Sequence, residues 1–225
     1  MSGLPNYPAE PADKEAFTQH NDRMYGRFAG LYDRVVKLLP VWRRWIETPL
    51  PDIVGPRVLE LSFGTGYLLT RYAHRYETWG IDYNKSLAKI AQANLAAGRH
   101  IPPAQDRKLA ARLSVADVYA LPFPDRCFNT ILCTMAFTGY PDGEAAMSEI
   151  SRVLMAEGRF LLIDVNYPNG GGRLGTWAAR AWLAFGDIIR DMAPIFEAHG
   201  FDFVDREIGG FGSVHYYIAQ KRPGH

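Results

Sequence analysis

The chain has 225 residues, and 25 Lys and Arg against 24 Asp and Glu leave a formal charge of +1. Hydrophobic residues at 48% and charged residues at 22% are enough to build an ordinary core, which excludes a disordered protein. Near-balanced charge argues against a nucleic-acid partner gripped through its phosphates, and Cys127 and Cys133 are too few for a disulfide framework and lack zinc-ligand spacing.

In chain order, residues 1–20 are rich in Pro, Ala and charge and read as a flexible lead without the apolar run of a signal peptide. The longest stretch free of charged side chains, Cys127 to Pro141, is shorter than the ~20 apolar residues of a spanning helix, so a cytoplasmic protein is expected. From Asn21 to Trp45, Met24, Phe28, Leu31, Val35 and Leu38 recur at helical spacing, interrupted at Pro40, so residues 21–50 are predicted to form a helical cap. Arg57 to Leu61 is a short buried strand, followed by a glycine turn from Ser62 to Gly66 and a helix from Tyr67 to Tyr76. Thr78 to Ile81 is a second strand closing at Asp82, and Asn84 is the N-cap of a helix reaching Ala97. Leu113 to Ala116 and Asn129 to Cys133 are the next strands, Glu144 to Leu154 is a helix, and Arg159 to Val165 is a fifth strand. Strands alternating with helices at this spacing predict βαβ units and a mostly parallel sheet. A helix from Pro194 ends at Gly200, and Phe201 to Ile208 and Val214 to Lys221 then follow, joined through the short glycine-rich connection Gly209 to Gly212 and Ser213, which permits nothing but an antiparallel hairpin. The expectation is an α/β, Rossmann-like, doubly wound sheet in a single domain over 21–225, with its core at 57–221.

The chemistry is concentrated at the ends of the strands. In VLELSFGTGYLL, Val58 to Leu69, a strand turns tightly through Gly64 and Gly66 into a helix whose free N–H groups and positive potential favour a ligand. The dinucleotide pattern G-x-G-x-x-G fails, because Leu69 stands at its third position. Asp82 closes the second strand about twenty residues after the turn, where a carboxylate accepts from both hydroxyls of a ribose. Asp117 closes the third strand and is placed to accept from an adenine amino group. Each acid alone is more often a helix cap or a solvated turn, but Glu60, Asp82 and Asp117 line one sheet edge in succession.

Those segments, with GIDYNKSLAKIAQANL, VADVYALPFPDRCFNTILCTMAF and EISRVLMAEGRFLLIDV, resemble the class I S-adenosylmethionine-dependent methyltransferases of the type 11 group. The resemblance covers roughly Tyr25 to Lys221 and implies a seven-stranded sheet whose last strand is antiparallel. It implies S-adenosylmethionine as cofactor, with Glu60, Ser62, Gly64, Gly66 and Thr134 at its methionine end. Asp82 would meet the ribose, Tyr83 and Val118 the adenine ring, and Asp117 its amino group. Tyr25 and Tyr32 resemble the N-terminal aromatic pair that closes over the cofactor. Ser62 stands where the family usually has glycine, so its hydroxyl is expected to replace a water, and Met155 to Gly158 replace Lys-Pro-Gly-Gly in a surface turn.

The resemblance implies methyl transfer by in-line displacement, which rests on positioning, and a base is needed only for a protonated acceptor. Thr134 to Phe137 lack the Asp/Asn-Pro-Pro-aromatic signature of base amino methylation, and Cys133 reads as a core residue rather than a nucleophile. A small-molecule or lipid head-group acceptor is therefore expected. Asp164 and His215 are the catalytic candidates, with Tyr140, Asn166, Tyr167 and Arg190 as pocket residues; for each, the competing reading is a bonded structural residue. The PVWRRWI segment, Pro40 to Ile46, mixes tryptophan and arginine as membrane-interface segments do, although a packed helix is the favoured reading. Two rival functions are a non-catalytic module that binds S-adenosylmethionine and an NAD-dependent oxidoreductase.

Overall fold

A computed structural model describes residues 7–19, 40–97, 111–184 and 186–224. The strands are β1 (Arg57–Leu61), β2 (Glu77–Asp82), β3 (Arg112–Val115), β4 (Phe128–Thr134), β5 (Leu154–Val165), β6 (Phe201–Gly209) and β7 (Val214–Lys221); the central β1 and β4 are mostly apolar and buried along nearly their whole length, whereas the edge strands β3 and β6 are partly exposed. They lie side by side in the order β3-β2-β1-β4-β5-β7-β6. Ladders β1–β2, β2–β3, β1–β4 and β4–β5 are parallel. β7 runs antiparallel to both neighbours, pairing Asp164 with His215 and Phe201 with Lys221.

The helices are α1, described over residues 14–19, α2 (Pro40–Glu47), α3 (Leu69–Tyr72), α4 (Lys85–Ala96), α5 (Gly143–Val153), α6 (Arg173–Ala184) and α7 (Met192–Ala198). Asn84 caps α4 by accepting from Ser86 and Leu87 N–H at 2.9 and 3.0 Å, as its sequence position predicts. Asp142 caps α5 in the same way through Ala145 N–H at 2.9 Å. One sheet face packs Leu59, Ile131 and Leu162 on Met147, Ile150 and Phe196 of α5 and α7. The other packs Val58, Leu132 and Leu161 on Leu68, Leu69, Tyr72 and Ala91 of α3 and α4. Each of these fully buried aliphatic side chains contributes about 1.5–3 kcal/mol relative to exposure.

Several boundaries differ from the sequence-based expectation. The helix expected from Tyr67 to Tyr76 is regular only over Leu69–Tyr72. Thr70 Oγ1 donates to Tyr67 O at 2.6 Å, and Arg71 and Arg75 bond three residues back, so the segment tightens instead of propagating. The surface turn expected at Met155 to Gly158 is an irregularity inside β5, where pairing jumps from Phe128↔Leu154 to Thr130↔Arg159 and Glu157 sits at φ 60°. Within the lead expected to be flexible, residues 7–19 are bound to the domain. Asp13 caps α1 through Ala16 N–H, Lys14 pairs with Asp142, and Glu10 pairs with Arg190 at 3.1 Å. Ion pairs to groups distant in sequence hold this segment, and no local pattern encodes them. Residues 20–39, with Tyr25, Tyr32 and most of the expected cap, lie outside the described residues.

Candidate active site

β1 is hydrogen-bonded to β2 on one side and β4 on the other, so the chain winds outward in both directions from this pair. At such a switch point the loops leaving the strand ends diverge and open a crevice. The crevice encloses about 950 Å³ including its open mouth, and its walls include Ser62, Gly64, Asp82, Asp117, Thr134 and Tyr140.

The turn after β1 builds one wall. Gly64 takes φ 56° and Gly66 φ 72°, the left-handed region open to glycine. A Cβ on Gly66 would stand 2.8 Å from Ala91 Cβ, so this glycine lets the turn pack against α4 and sits behind the wall rather than in it. Asp82 then fixes the turn, accepting from Gly64 N–H and Asn84 N–H at 2.8 Å each. One carboxylate thus ties the turn after β1 to the cap of α4, and the same group faces the crevice. Asp117 accepts from Tyr119 N–H at 3.0 Å and stands on the crevice wall, and Val118, Leu87 and Ile81 supply its apolar lining. Tyr83, at the mouth, is 52% exposed.

Ser62, whose hydroxyl was expected to replace a water, places its Oγ 2.7 Å from the Tyr140 hydroxyl, across 78 positions of sequence. It is also held at φ 49°, which explains why a glycine is the easier residue here. Burial pushes the Tyr140 hydroxyl well above its ordinary pKa, so it serves as a hydrogen-bonding partner and not as a base.

The structure does not bring every predicted residue to the crevice. Glu60 is 2% exposed and turned toward α3, where Tyr72 donates to its Oε2 at 2.9 Å. Burial raises its pKa to about 8; the Tyr72 hydrogen bond opposes the shift and the Asp82 charge adds to it. Asp164 is likewise buried. Its carboxylate takes the Thr138 N–H and hydroxyl at 2.9 Å each and the Val165 N–H at 2.8 Å, so it anchors the turn after β4. Its neighbour Asp187 is pushed up to about 7 by burial and then by the Asp164 charge. His215 is fully buried, with Nδ1 held by Asp205 at 2.8 Å. Neither Asp164 nor His215 lines the crevice; both side chains are enclosed behind the strand ends that were expected to present them. Arg190 is also structural: its guanidinium donates to the carbonyls of Phe137, Ile188 and Tyr140. Asn166 is buried, donating to Tyr217 at 2.7 Å and to the Arg190 carbonyl.

Sequence reasoning missed Met135, Tyr119 and Thr18, all on the crevice wall. Met135 carries no sequence signal. It sits at φ 54° with its N–H bonded to Ile163 O at 2.7 Å, so the backbone turns sharply just past β4. Its side chain joins the crevice to the cluster on the α3 and α4 face of the sheet and to two smaller ones, one with Tyr167, Trp182 and Leu183 and one with Trp42, Ile46 and Tyr67.

The crevice has the chemistry of a nucleoside-plus-amino-acid site. Two carboxylates stand at neighbouring strand ends beside an apolar slot, and a glycine turn exposes backbone at the other end. S-adenosylmethionine matches that donor set. A family described as "Methyltransferase domain" matches residues 59–162. A demethylmenaquinone methyltransferase of Thermotoga maritima is 28% identical over 178 residues, covering 74% of this chain and 72% of that protein. The Thermus thermophilus protein of the same name is 31% identical over 156 residues, covering 66% and 67%. Among solved structures, Haemonchus contortus "Phospholethanolamine N-methyltransferase 2", in complex with phosphomonomethylethanolamine and S-adenosylhomocysteine, superposes with a TM-score of 0.69 at 12% identity, covering 92% of this chain and 60% of that one.

Proposed function

Because the chain belongs to the class I S-adenosylmethionine-dependent methyltransferases, we propose that its acceptor is a lipid-soluble aromatic ring of the prenylated hydroquinone class. The cofactor is S-adenosylmethionine and the activity is methyl transfer. The observation that carries the acceptor reading is Met135, which joins the crevice to the aromatic groups of Trp42, Tyr67, Tyr167 and Trp182. Flat apolar faces of this kind suit an aromatic ring better than a charged head group, and two relatives are named for demethylmenaquinone.

In this reading Asp82 accepts from the ribose hydroxyls, while its bonds from Gly64 and Asn84 keep the carboxylate from rotating. Asp117 accepts from the adenine amino group, Val118 and Tyr83 flank the ring, and Ser62, Gly64 and Thr134 face the methionine end. Glu60 and Gly66 support this wall from behind. The bound cofactor supplies a methyl group activated by a sulfonium, and the acceptor atom that takes it gives up one proton. The chain contributes alignment and exclusion of water, the terms that dominate a displacement of this kind.

Calorimetric titration with S-adenosylmethionine, S-adenosylhomocysteine and NAD, beside Asp82→Ala, tests the cofactor assignments. Micromolar binding of both sulfur ligands, weakened at least about a hundredfold in the variant by loss of two charged hydrogen bonds, is expected, with no NAD binding. Labelled methyl transfer to a short-chain demethylmenaquinol, set against phosphatidylethanolamine, tests the acceptor. Label on the lipid amine instead of the quinol would overturn the aromatic reading.

A further inference from the structure

Beyond the acceptor, α6 presents two unlike faces. Inward, Gly175 and Ala179 are buried, and Trp182 and Leu183 join the cluster that contains Met135. Outward, Leu174 is 66% and Trp177 73% exposed, one turn apart. A 3-10 turn at Gly210–Gly212 packs against α6, with the Phe211 carbonyl lying directly over Gly175. That turn holds Phe211 76% exposed, with its backbone at φ 57°. A bulky residue is disfavoured in that left-handed conformation, so the fold holds an aromatic side chain out to solvent against its local preference. Single exposed apolar residues are ordinary, but three large ones on adjoining elements mark a contact surface.

The charges around this patch select the partner. α6 contains Arg173 and Arg180 and no acidic residue. Both arginines are exposed, and among the described residues neither forms an ion pair. The acids nearest the turn are already engaged: Asp205 by His215, and Glu207 by Asn169 N–H at 2.6 Å. An apolar stripe carrying an indole and bordered by two exposed arginines matches an anionic bilayer surface, with the rings at the headgroup boundary and the guanidinium groups on phosphate. Among the described residues no helix is long and apolar enough to cross a membrane. We propose that the outer face of α6 and the Gly210–Gly212 turn docks this protein on anionic lipid bilayers. Docking there would set α6 between the bilayer and the Met135 side of the crevice, which brings the crevice close to the lipid phase. That consequence rests on the acceptor reading above, whereas the docking does not.

Flotation of the full chain with vesicles tests the proposal. Binding is expected to vesicles of equal parts phosphatidylglycerol and phosphatidylcholine, and to weaken with added salt and on pure phosphatidylcholine. Trp177→Glu and Phe211→Asn should each reduce binding, and together abolish it; asparagine tolerates the left-handed backbone, so the turn survives. Arg173→Ala and Arg180→Ala should each weaken binding about fivefold. Calorimetric binding of S-adenosylmethionine should be unchanged in every variant, which separates loss of docking from loss of the cofactor site. No vesicle binding by the parent protein, or full binding by the Trp177→Glu, Phe211→Asn double variant, would overturn the proposal. So would a parent dimer in sedimentation velocity that Trp177→Glu splits, since the face would then belong to a second copy.

Discussion

Replacing Glu60 with glutamine should remove a specific pH dependence from the stability of the fold. The carboxyl is completely enclosed behind the crevice wall, and its pKa rises from 4.5 to about 8, mainly because burial disfavours the charge. The folded state therefore holds a proton that the unfolded chain releases above pH 4.5. Stability from this group is complete below that value, falls as pH rises, and is exhausted beyond about pH 8. The whole limb amounts to about 5 kcal/mol, and the stretch between pH 6 and 8 to about 2 kcal/mol, at 1.36 kcal/mol per pKa unit. Glutamine has the same shape, still accepts from Tyr72, and does not ionise. Asp187, raised to about 7, tilts the parent and the variant alike, so their difference isolates Glu60. Urea denaturation followed by circular dichroism at constant ionic strength should show Glu60→Gln gaining about 2 kcal/mol relative to the parent between pH 6 and 8, or roughly 4–8 °C in Tm. Parallel curves would refute the buried, protonated carboxyl. A more than tenfold loss of S-adenosylmethionine affinity in the same variant would return Glu60 to the crevice.

Further substitutions probe the wall and its supports. Ser62→Ala keeps the left-handed strain and loses the Tyr140 bond, so it should be about 1 kcal/mol less stable than Ser62→Gly, which relieves the strain; equal stabilities in chemical denaturation would contradict the geometry at φ 49°. Gly66→Ala combines φ 72° with a Cβ pressed on Ala91 and should lower stability by about 2–3 kcal/mol, and Ala91→Gly in the same chain should recover part of it. Arg190→Met leaves three buried carbonyls without their shared donor and should cost about 3–5 kcal/mol by urea denaturation; a loss below 1 kcal/mol would mean that water replaces the guanidinium.

Sequence periodicity by itself determined the strands to within a few residues, apart from the first five residues of β5, together with the Asn84 cap and the antiparallel hairpin forced by a short connection. Those features are local: alternation, a capping side chain and a loop length act over a few positions. The acidic strand ends were legible for the same reason, since Asp82 and Asp117 close strands and so stand at an edge. The direction in which an acid points is not legible when both faces of its strand are buried. Glu60 lies between Leu59 and Leu61 with apolar layers on either side, and only the packing of α3 turns it toward Tyr72 and away from the crevice. Asp164 and His215 also stand at strand ends, yet the turn after β4 and the neighbouring Asp205 claim them. The tertiary structure likewise decided the strand order that opens the crevice between β1 and β4, the joining of Ser62 to Tyr140, and the tie from Glu10 to Arg190. Each of these brings together groups separated by tens of residues or more, whose meeting is set by how the layers stack, and the free energy of that stacking is not written in any one segment.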